Sequence, residues 1–333
     1  MQNLGLIADI GGTNARFALC SADGAVERPA VLACRDYAGL ADAAAAYLKQ
    51  AGVAAAYLKQ AGVAAGTVKT AAFAVACPVL GDAVHLTNCA WAFSIAELKA
   101  ALGLESLTVV NDFVAQALAV PELSESEKVK IGRGEPQAGH PIAVVGPGTG
   151  LGVSILVPQN DGSWTALPSE GGHATMPAPY PEEERVISAL RGEYGHVSAE
   201  RVVSGMGLTN LYKTLKALRN ESADVLPPEE ITKRALAGDA LCREAVQMMF
   251  GLLGTLAGNL ALTVGALGGV YIAGGIVPRK GLLEMFKESA FRVRFEAKGR
   301  FTDYLSRIPT YVMTAEYPAF LGLSALIKKN CKK

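Results

Sequence analysis

The chain holds 333 residues, 50% of them hydrophobic, with 31 lysines and arginines against 31 aspartates and glutamates. That length and apolar content suit two medium domains, each with its own core and no need of disulfide or metal staples. A formal net charge of zero argues against a nucleic-acid binder, which normally shows a basic stripe, while leaving room for a local anion site.

The first predicted strand runs from Leu4 to Asp9 and meets Gly11-Gly12. An apolar run from Phe17 to Cys20 follows, so the two form a hairpin around a glycine turn. A helical region comes next and holds a tandem repeat: AAAYLKQAGVAA at 44–55 returns at 54–65. Two copies at that offset match no architectural repeat, so the duplication is expected to lengthen a surface helix or loop away from any site. Further strands are predicted at Lys69–Ala76 and Ser106–Val110. Asn111-Asp112 stands directly after the second, and a helix follows from Phe113 to Ala119. The polar stretch Pro121–Gly139 reads as a domain boundary. A second hairpin is predicted within Ala143–Leu156. Superposing Gly12-Thr13 on Gly148-Thr149 sets Phe17 on Val153 and Leu19 on Ile155. Two domains with the same opening hairpin, facing each other over one ligand, are therefore expected.

From Ala245 to Pro278 there is no Asp, Glu, Lys or Arg. A hydropathy scan would read a membrane span there. The glycines at 265, 268 and 269 instead divide it into a buried helix, Ala245–Thr263, and a buried strand, Val270–Ala273, and no membrane partner is expected. The six cysteines (20, 34, 77, 89, 242 and 331) form no C-x-x-C pair, which predicts reduced, mostly buried thiols in a reducing compartment. No charged segment leading into an apolar one opens the chain, so no secretory leader is expected.

Two loops have the chemistry to hold phosphates. Glycine permits close backbone approach, and turn N–H groups can then point at an anion. Asp9-Ile10-Gly11-Gly12-Thr13-Asn14 fits this, with Thr13 and Asn14 adding side-chain donors. Asp9 is placed to hold a magnesium ion through water. The second loop, Gly146-Pro147-Gly148-Thr149-Gly150-Leu151-Gly152, has four glycines in seven residues. One such loop is equally well a ligand-free hairpin; two matched loops behind apolar strands favour phosphate. There is no G-x-x-x-x-G-K-[ST], and the second loop does not match G-x-G-x-x-G. The first strand also leads into a hairpin rather than a helix, which disfavours a dinucleotide fold.

Phosphoryl transfer to an alcohol needs in-line positioning, charge neutralisation and a carboxylate to take the hydroxyl proton. Candidates fall in three segments: Asn111-Asp112, Ser169-Glu170-Gly171-Gly172-His173, and Ser198-Ala199-Glu200-Arg201. Each has a plainer reading. Asn-Asp after a strand is often a helix cap, and a Glu or Glu-Arg pair is often solvated surface. His85, His140 and His196 are read as surface residues. Taken alone, these residues define a two-domain phosphotransferase candidate and name no sugar.

These segments resemble the bacterial-type glucokinases of the hexokinase and actin-like superfamily. The resemblance rests on ADIGGTNARFAL at 8–19, TNxxWxFS at 87–94, NDFVAQALAV at 111–120 and GPGTGLGV at 146–153. It continues through EGGH at 170–173, HVSAERVVSG at 196–205 and IAGGIVPR at 272–279. It implies an α/β, two-domain actin-like (ribonuclease H-like) fold, each domain a mixed five-stranded sheet with helices. The small domain would be 1–121 plus 314–333, the large one 122–313. It implies ATP and Mg2+ as cofactors and glucose as the acceptor. Asp112 would be the catalytic base toward the 6-hydroxyl, and Asn111, Glu170, His173 and Glu200 would bind the other hydroxyls. Ala8, Asp9, Ile10, Gly11, Gly12 and Thr13, with Gly148, Thr149 and Gly150, would hold phosphates. Gly274 and Gly275 would let the adenosine reach the backbone. A cytoplasmic homodimer serving glycolysis is implied.

The tandem repeat, Ala83, Cys89 and Ser169 depart from the expected pattern. Other sugar kinases of the superfamily include repressor-related ones with a cysteine-rich zinc motif beside the sugar histidine; no cysteines cluster near His173. An actin-like ATPase would share the hairpins without needing EGGH and Glu200. A sugar-binding regulator without catalysis is disfavoured by the intact Asp112.

Overall fold

The computed structural model describes residues 5–21, 23–52, 68–87, 89–222 and 225–331. The chain divides into two compact units, Met1–Ser124 with Ala315–Lys333, and Glu125–Thr314.

The first unit is built in chain order from β1 (Gly5–Ile10), β2 (Asn14–Cys20), β3 (Val26–Ala33), α1 (Leu40–Gln50), β4 (Thr70–Val75), β5 (Ala83–His85), β6 (Ala92–Ser94), α2 (Ile95–Ala101), β7 (Ser106–Asn111) and α3 (Asp112–Ala119). Its main sheet has the order β3-β2-β1-β4-β7, and β5 and β6 make a separate pair. β1, β4 and β7 run parallel, and β2 and β3 are antiparallel. β1 is apolar on both sides because both faces of the sheet are covered. Leu6, Ala8 and Ile10 enter one core with Phe17 and Tyr47, while Ile7 enters another with Ala72 and Phe320. That is the two-residue period of a strand. Residues 44–50 of the first copy of the tandem repeat lie in α1 and are not purely superficial, while 53–55 lie outside the described residues. Tyr47 is buried, and its ring stacks on Phe17 at 5.4 Å between centroids. The second copy lies outside the described residues.

The second unit holds β8 (Lys128–Ile131), β9 (Ile142–Pro147), β10 (Leu151–Pro158), β11 (Trp164–Ser169), α4 (Pro181–Tyr194), α5 (Gly205–Leu218), α6 (Pro228–Leu236), α7 (Ala240–Val264), β12 (Val270–Ile272), α8 (Leu282–Lys287), α9 (Phe291–Glu296), α10 (Thr302–Ser306) and β13 (Thr310–Met313). Its sheet is six-stranded, β11-β10-β9-β12-β13-β8, where five strands were expected. The sixth, β8, comes from the polar stretch read as a boundary. It is an edge strand of four residues whose Val129 and Ile131 reach the core while Lys128 and Lys130 alternate with them. So short an alternation is hidden by its polar surroundings, and lysine suits an exposed edge. Without β8, the sheet repeats the strand order and directions of the first unit.

The two hairpins differ by one residue. Ile10 pairs with Ala15, whereas Pro147 pairs with Leu151. The sequence superposition therefore holds along the second strands and slips by one along the first: Phe17 faces Ala8, but Val153 faces Val145.

α7 is the long apolar helix. Among the described residues it alone is long and apolar enough to cross a membrane, yet 72% of its most apolar window is buried within the protein. Asp239 caps its start by accepting the Cys242 N–H at 2.9 Å. Gly254 and Gly258 let α9 approach: a Cβ there would lie 2.2 Å from the Phe291 carbonyl oxygen and 2.4 Å from that of Phe295.

The last helix, α11 (Pro318–Cys331), belongs to the first unit and packs on α3. A Cβ on Gly322 would stand 1.9 Å from the Ala115 carbonyl oxygen, so this glycine sets the distance between the two helices.

Candidate functional site

In the first unit the parallel strands carry the candidate carboxylates at their carboxyl ends. Asp9 is near the end of β1, and Asp112 opens α3 directly after β7. Asn111 caps that helix, with Oδ1 accepting the Phe113 N–H at 2.9 Å and Nδ2 donating to the Cys77 carbonyl at 3.4 Å. Asp112 Oδ1 also accepts the Phe113 N–H, at 3.0 Å. The cap reading of Asn-Asp holds, and the cap fixes the backbone that presents Asp112.

Burial pushes the Asp112 carboxyl up to about 6, and the charge of Asp9 adds to the effect. The Asp9 carboxyl is also raised by burial, against the pull of Arg16. Arg16 faces Asp9 across the β1–β2 ladder and pairs with it at 3.3 Å. Ala8 and Ile10 are fully buried in β1, between β2 and β4. In the turn, Gly11 N–H donates to Asn14 O at 3.0 Å, and the Thr13 carbonyl takes the Cys34 N–H at 2.9 Å, leaving Thr13 exposed.

In the second unit three segments meet at Leu151. Its N–H donates to Glu200 Oε2 at 2.9 Å. Its carbonyl oxygen is so close to Gly172 that a Cβ there would stand 2.0 Å from it. Gly148 N–H closes the turn onto Gly150 O at 2.8 Å. Segment 174–176 runs beside 197–199, with Ala199 N–H donating to Ala174 O and Met176 N–H to Val197 O. Glu170 and His173 are exposed, their side chains 3.9 Å apart. Ser169 Oγ accepts the Gly171 N–H at 3.0 Å, which steadies the turn between them.

The two glycines after β12 differ. Gly274 has φ +81°, and a Cβ would meet the Pro147 carbonyl oxygen at 2.5 Å, so the protein's own backbone demands glycine there. Gly275 and Gly148 face open space: a Cβ on either would meet nothing within 4 Å. At those two positions packing does not account for the missing side chain.

The structure thus brings Asp9, Asn111 and Asp112 together in one unit, and Glu200 with the Gly148–Gly150 turn and Gly172 in the other. Sequence reading gave no individual role to Arg16, Cys77, Leu151, Ser204 or Gly205. Only Arg16 carried a signal, as an arginine within an apolar strand opposite an aspartate. The others act through backbone groups or as a cap. Among the described residues no group of three or more His, Cys, Asp or Glu side chains is placed to hold a metal ion.

Two units on sheets of one strand order, each opening with a glycine-turn hairpin, define the actin-like fold of the sugar kinases. The Glucokinase family model matches residues 6–330. A glucokinase of Paramagnetospirillum magneticum is 52% identical over 328 residues, 98% of each chain. One of Neisseria meningitidis serogroup C / serotype 2a is 48% identical over 329 residues, covering 98% of this chain and 95% of that one. The crystal structure of a glucokinase from an Antarctic psychrotroph superposes with a TM-score of 0.85 at 35% identity, covering 98% of this chain and 99% of that one. The chain belongs to the glucokinase family.

Proposed function

We propose that the protein transfers the γ-phosphoryl group of ATP to the 6-hydroxyl of glucose, giving glucose 6-phosphate and ADP, with Asp112 as the base. The observation that carries this reading is the Asp112 carboxyl itself, fixed at the start of α3 and raised to about 6. At neutral pH it is ionised and can accept a proton, yet it is a stronger base than an ordinary aspartate. Asn111, whose Oδ1 accepts the Phe113 N–H and whose side chain also bonds the Cys77 carbonyl and Asp112, has a further lone pair on Oδ1 for a sugar hydroxyl. Glu170, His173 and Glu200 supply acceptors and a donor for the remaining hydroxyls. The backbones of 8–13 and 148–150 hold phosphates, and Gly275 leaves room for the adenosine.

Asp9 and Asp112 are hard oxygen donors in one electrostatic neighbourhood, and this set fits Mg2+, which uses one or two carboxylates together with substrate phosphates. Asp9 would hold it through water. When bound, the ion neutralises charge on the phosphates being cleaved. The Arg16 guanidinium keeps the Asp9 carboxylate oriented along the strand ladder. The two compact units correspond in this reading to the small and large domains, and a cytoplasmic homodimer serving glycolysis is the expected setting.

A coupled assay across glucose, mannose, fructose, N-acetylglucosamine and a no-sugar control tests the proposal. Turnover on glucose is expected, with none in the control. ATP hydrolysis indifferent to every sugar would refute it. Sedimentation of the purified chain tests the dimer.

A further inference from the structure

Segment 200–205 grips both ends of the second glycine turn. Glu200 Oε2 accepts the Leu151 N–H at 2.9 Å, and Gly205 N–H donates to Gly148 O at 2.8 Å. The grip requires a glycine, because a Cβ on residue 150 would lie 2.5 Å from Glu200 Oε2. Glu200 is held from behind as well. The hydroxyl of Ser204, a fully buried residue, donates to the Glu200 carbonyl at 2.7 Å and accepts the Gly207 N–H at 2.9 Å as the cap of α5. The backbone of Glu200 is therefore anchored to a 14-residue helix, while its half-buried carboxylate reaches the turn.

We infer that Glu200 is a positioning residue that couples sugar occupancy to the geometry of the nucleotide turn, so that glucose and nucleotide each tighten the binding of the other. The inference rests on the proposed function, which puts a sugar hydroxyl on Glu200 and phosphates on 148–150. A carboxylate is planar and rigid. With Oε2 on Leu151, Oε1 remains for a hydroxyl donor, and a bond to either oxygen fixes the direction of the other. A sugar on Oε1 removes the rotameric freedom by which the side chain would release Leu151, and the turn is then ordered before the phosphates arrive. A ligand meeting an already ordered site loses less entropy on binding, and the effect is reciprocal. Glu200 thus has two roles on two atoms: one oxygen toward the sugar, the other toward the turn.

The test is calorimetric titration of the full chain with a non-hydrolysable ATP analogue and Mg2+, with and without saturating glucose. In the unsubstituted protein glucose should tighten the analogue by about fivefold or more, the lower range of ordinary site-to-site coupling. Gly150→Ala displaces the carboxylate from the turn and leaves it available to sugar. Its coupling should fall to about twofold or less, with glucose affinity alone held within about threefold. Glu200→Gln keeps an oxygen for Leu151 but loses the charge toward sugar. It should weaken glucose about tenfold and retain the coupling, the difference between a charged and a neutral hydrogen bond. Glu200→Ala should lose both, which decides the matter if Gly150→Ala does not fold. Coupling undiminished in Gly150→Ala or in Glu200→Ala overturns the inference. So does an unsubstituted protein that binds both ligands independently. An unsubstituted protein that binds neither overturns the proposed function itself.

Discussion

Asn111 Nδ2 donates to the Cys77 carbonyl at 3.4 Å, so the cap of the helix that presents Asp112 is tied to the chain leaving β4. The same side chain accepts the Phe113 N–H through Oδ1. One residue thus anchors the candidate base in two directions. Asn111→Ala should cost about 1 kcal/mol of stability, the usual worth of an N-cap. It should also lower kcat by more than it raises the glucose KM, because Asp112 loses its fixed backbone. Thermal unfolding and steady-state kinetics on one preparation check both parts.

The raised carboxyl of Asp112 makes a stability prediction of its own. The unfolded chain loses this proton near 3.8, the folded protein near 6. Folding therefore disfavours the ionised form, and stability from this group is lost as pH rises from about 4 to about 6. Above that range the penalty is complete, on the order of 2–3 kcal/mol. Asp112→Asn should melt higher than the unsubstituted protein at pH 8 and show little difference at pH 4. An equal or lower melting temperature at pH 8 would contradict the electrostatic account of the site.

The same ionisation should appear in the rate. kcat/KM for glucose should climb through about pH 6 and level off above it, since this parameter reports the base in the free enzyme. A profile flat from pH 5 to 8 would place the base elsewhere.

Gly322 lies far along the sequence from Asp112 but bears on it through α3. A Cβ there would press into the Ala115 carbonyl, which belongs to the backbone of α3 and cannot turn aside. Gly322→Ala should destabilise by about 1–3 kcal/mol, the ordinary cost of overpacking. It should also lower kcat with no change in any residue that meets a ligand. Chemical denaturation together with kinetics tests this.

Much of the architecture was legible because it depends on apolar pattern. Both hairpins, β4, β7, α3 and the division of the long uncharged run follow from strands and helices buried on more than one face. β8 was not legible, since four residues alternating lysine with Val129 and Ile131 resemble any polar connector. The hairpin slip was hidden for a different reason: turn length is fixed by backbone hydrogen bonding, which residue identity records only loosely. At the site, Asp112, Asn111 and Glu200 stood out by type and neighbourhood. The Leu151 N–H, the Cys77 carbonyl and the Gly205 N–H did not, because backbone groups acquire roles only when the chain folds. Gly274 and Gly275 look alike in sequence, yet one answers to a positive φ and the other to open space.

Glu183 and Arg294 form a buried ion pair in the second unit, with the guanidinium lying over the Tyr180 ring at 3.6 Å. Burial raises the Glu183 carboxyl even with Arg294 beside it, and among the described residues Oε2 has no hydrogen-bond partner. Arg294→Met should therefore cost about 3–5 kcal/mol by stranding a buried carboxylate. Glu183→Met with Arg294→Met should recover most of that loss. Denaturant titrations of the single and double variants measure it.

The most direct test of the central claim is the turnover of Asp112→Ala at saturating glucose and ATP, together with glucose affinity by calorimetry. The expected result is kcat lower by roughly 10²–10⁴, the usual worth of a positioned base, with glucose affinity changed only a few-fold. Ordinary turnover at saturation, with glucose affinity lost, would show that Asp112 binds the sugar and that the proton goes to another group.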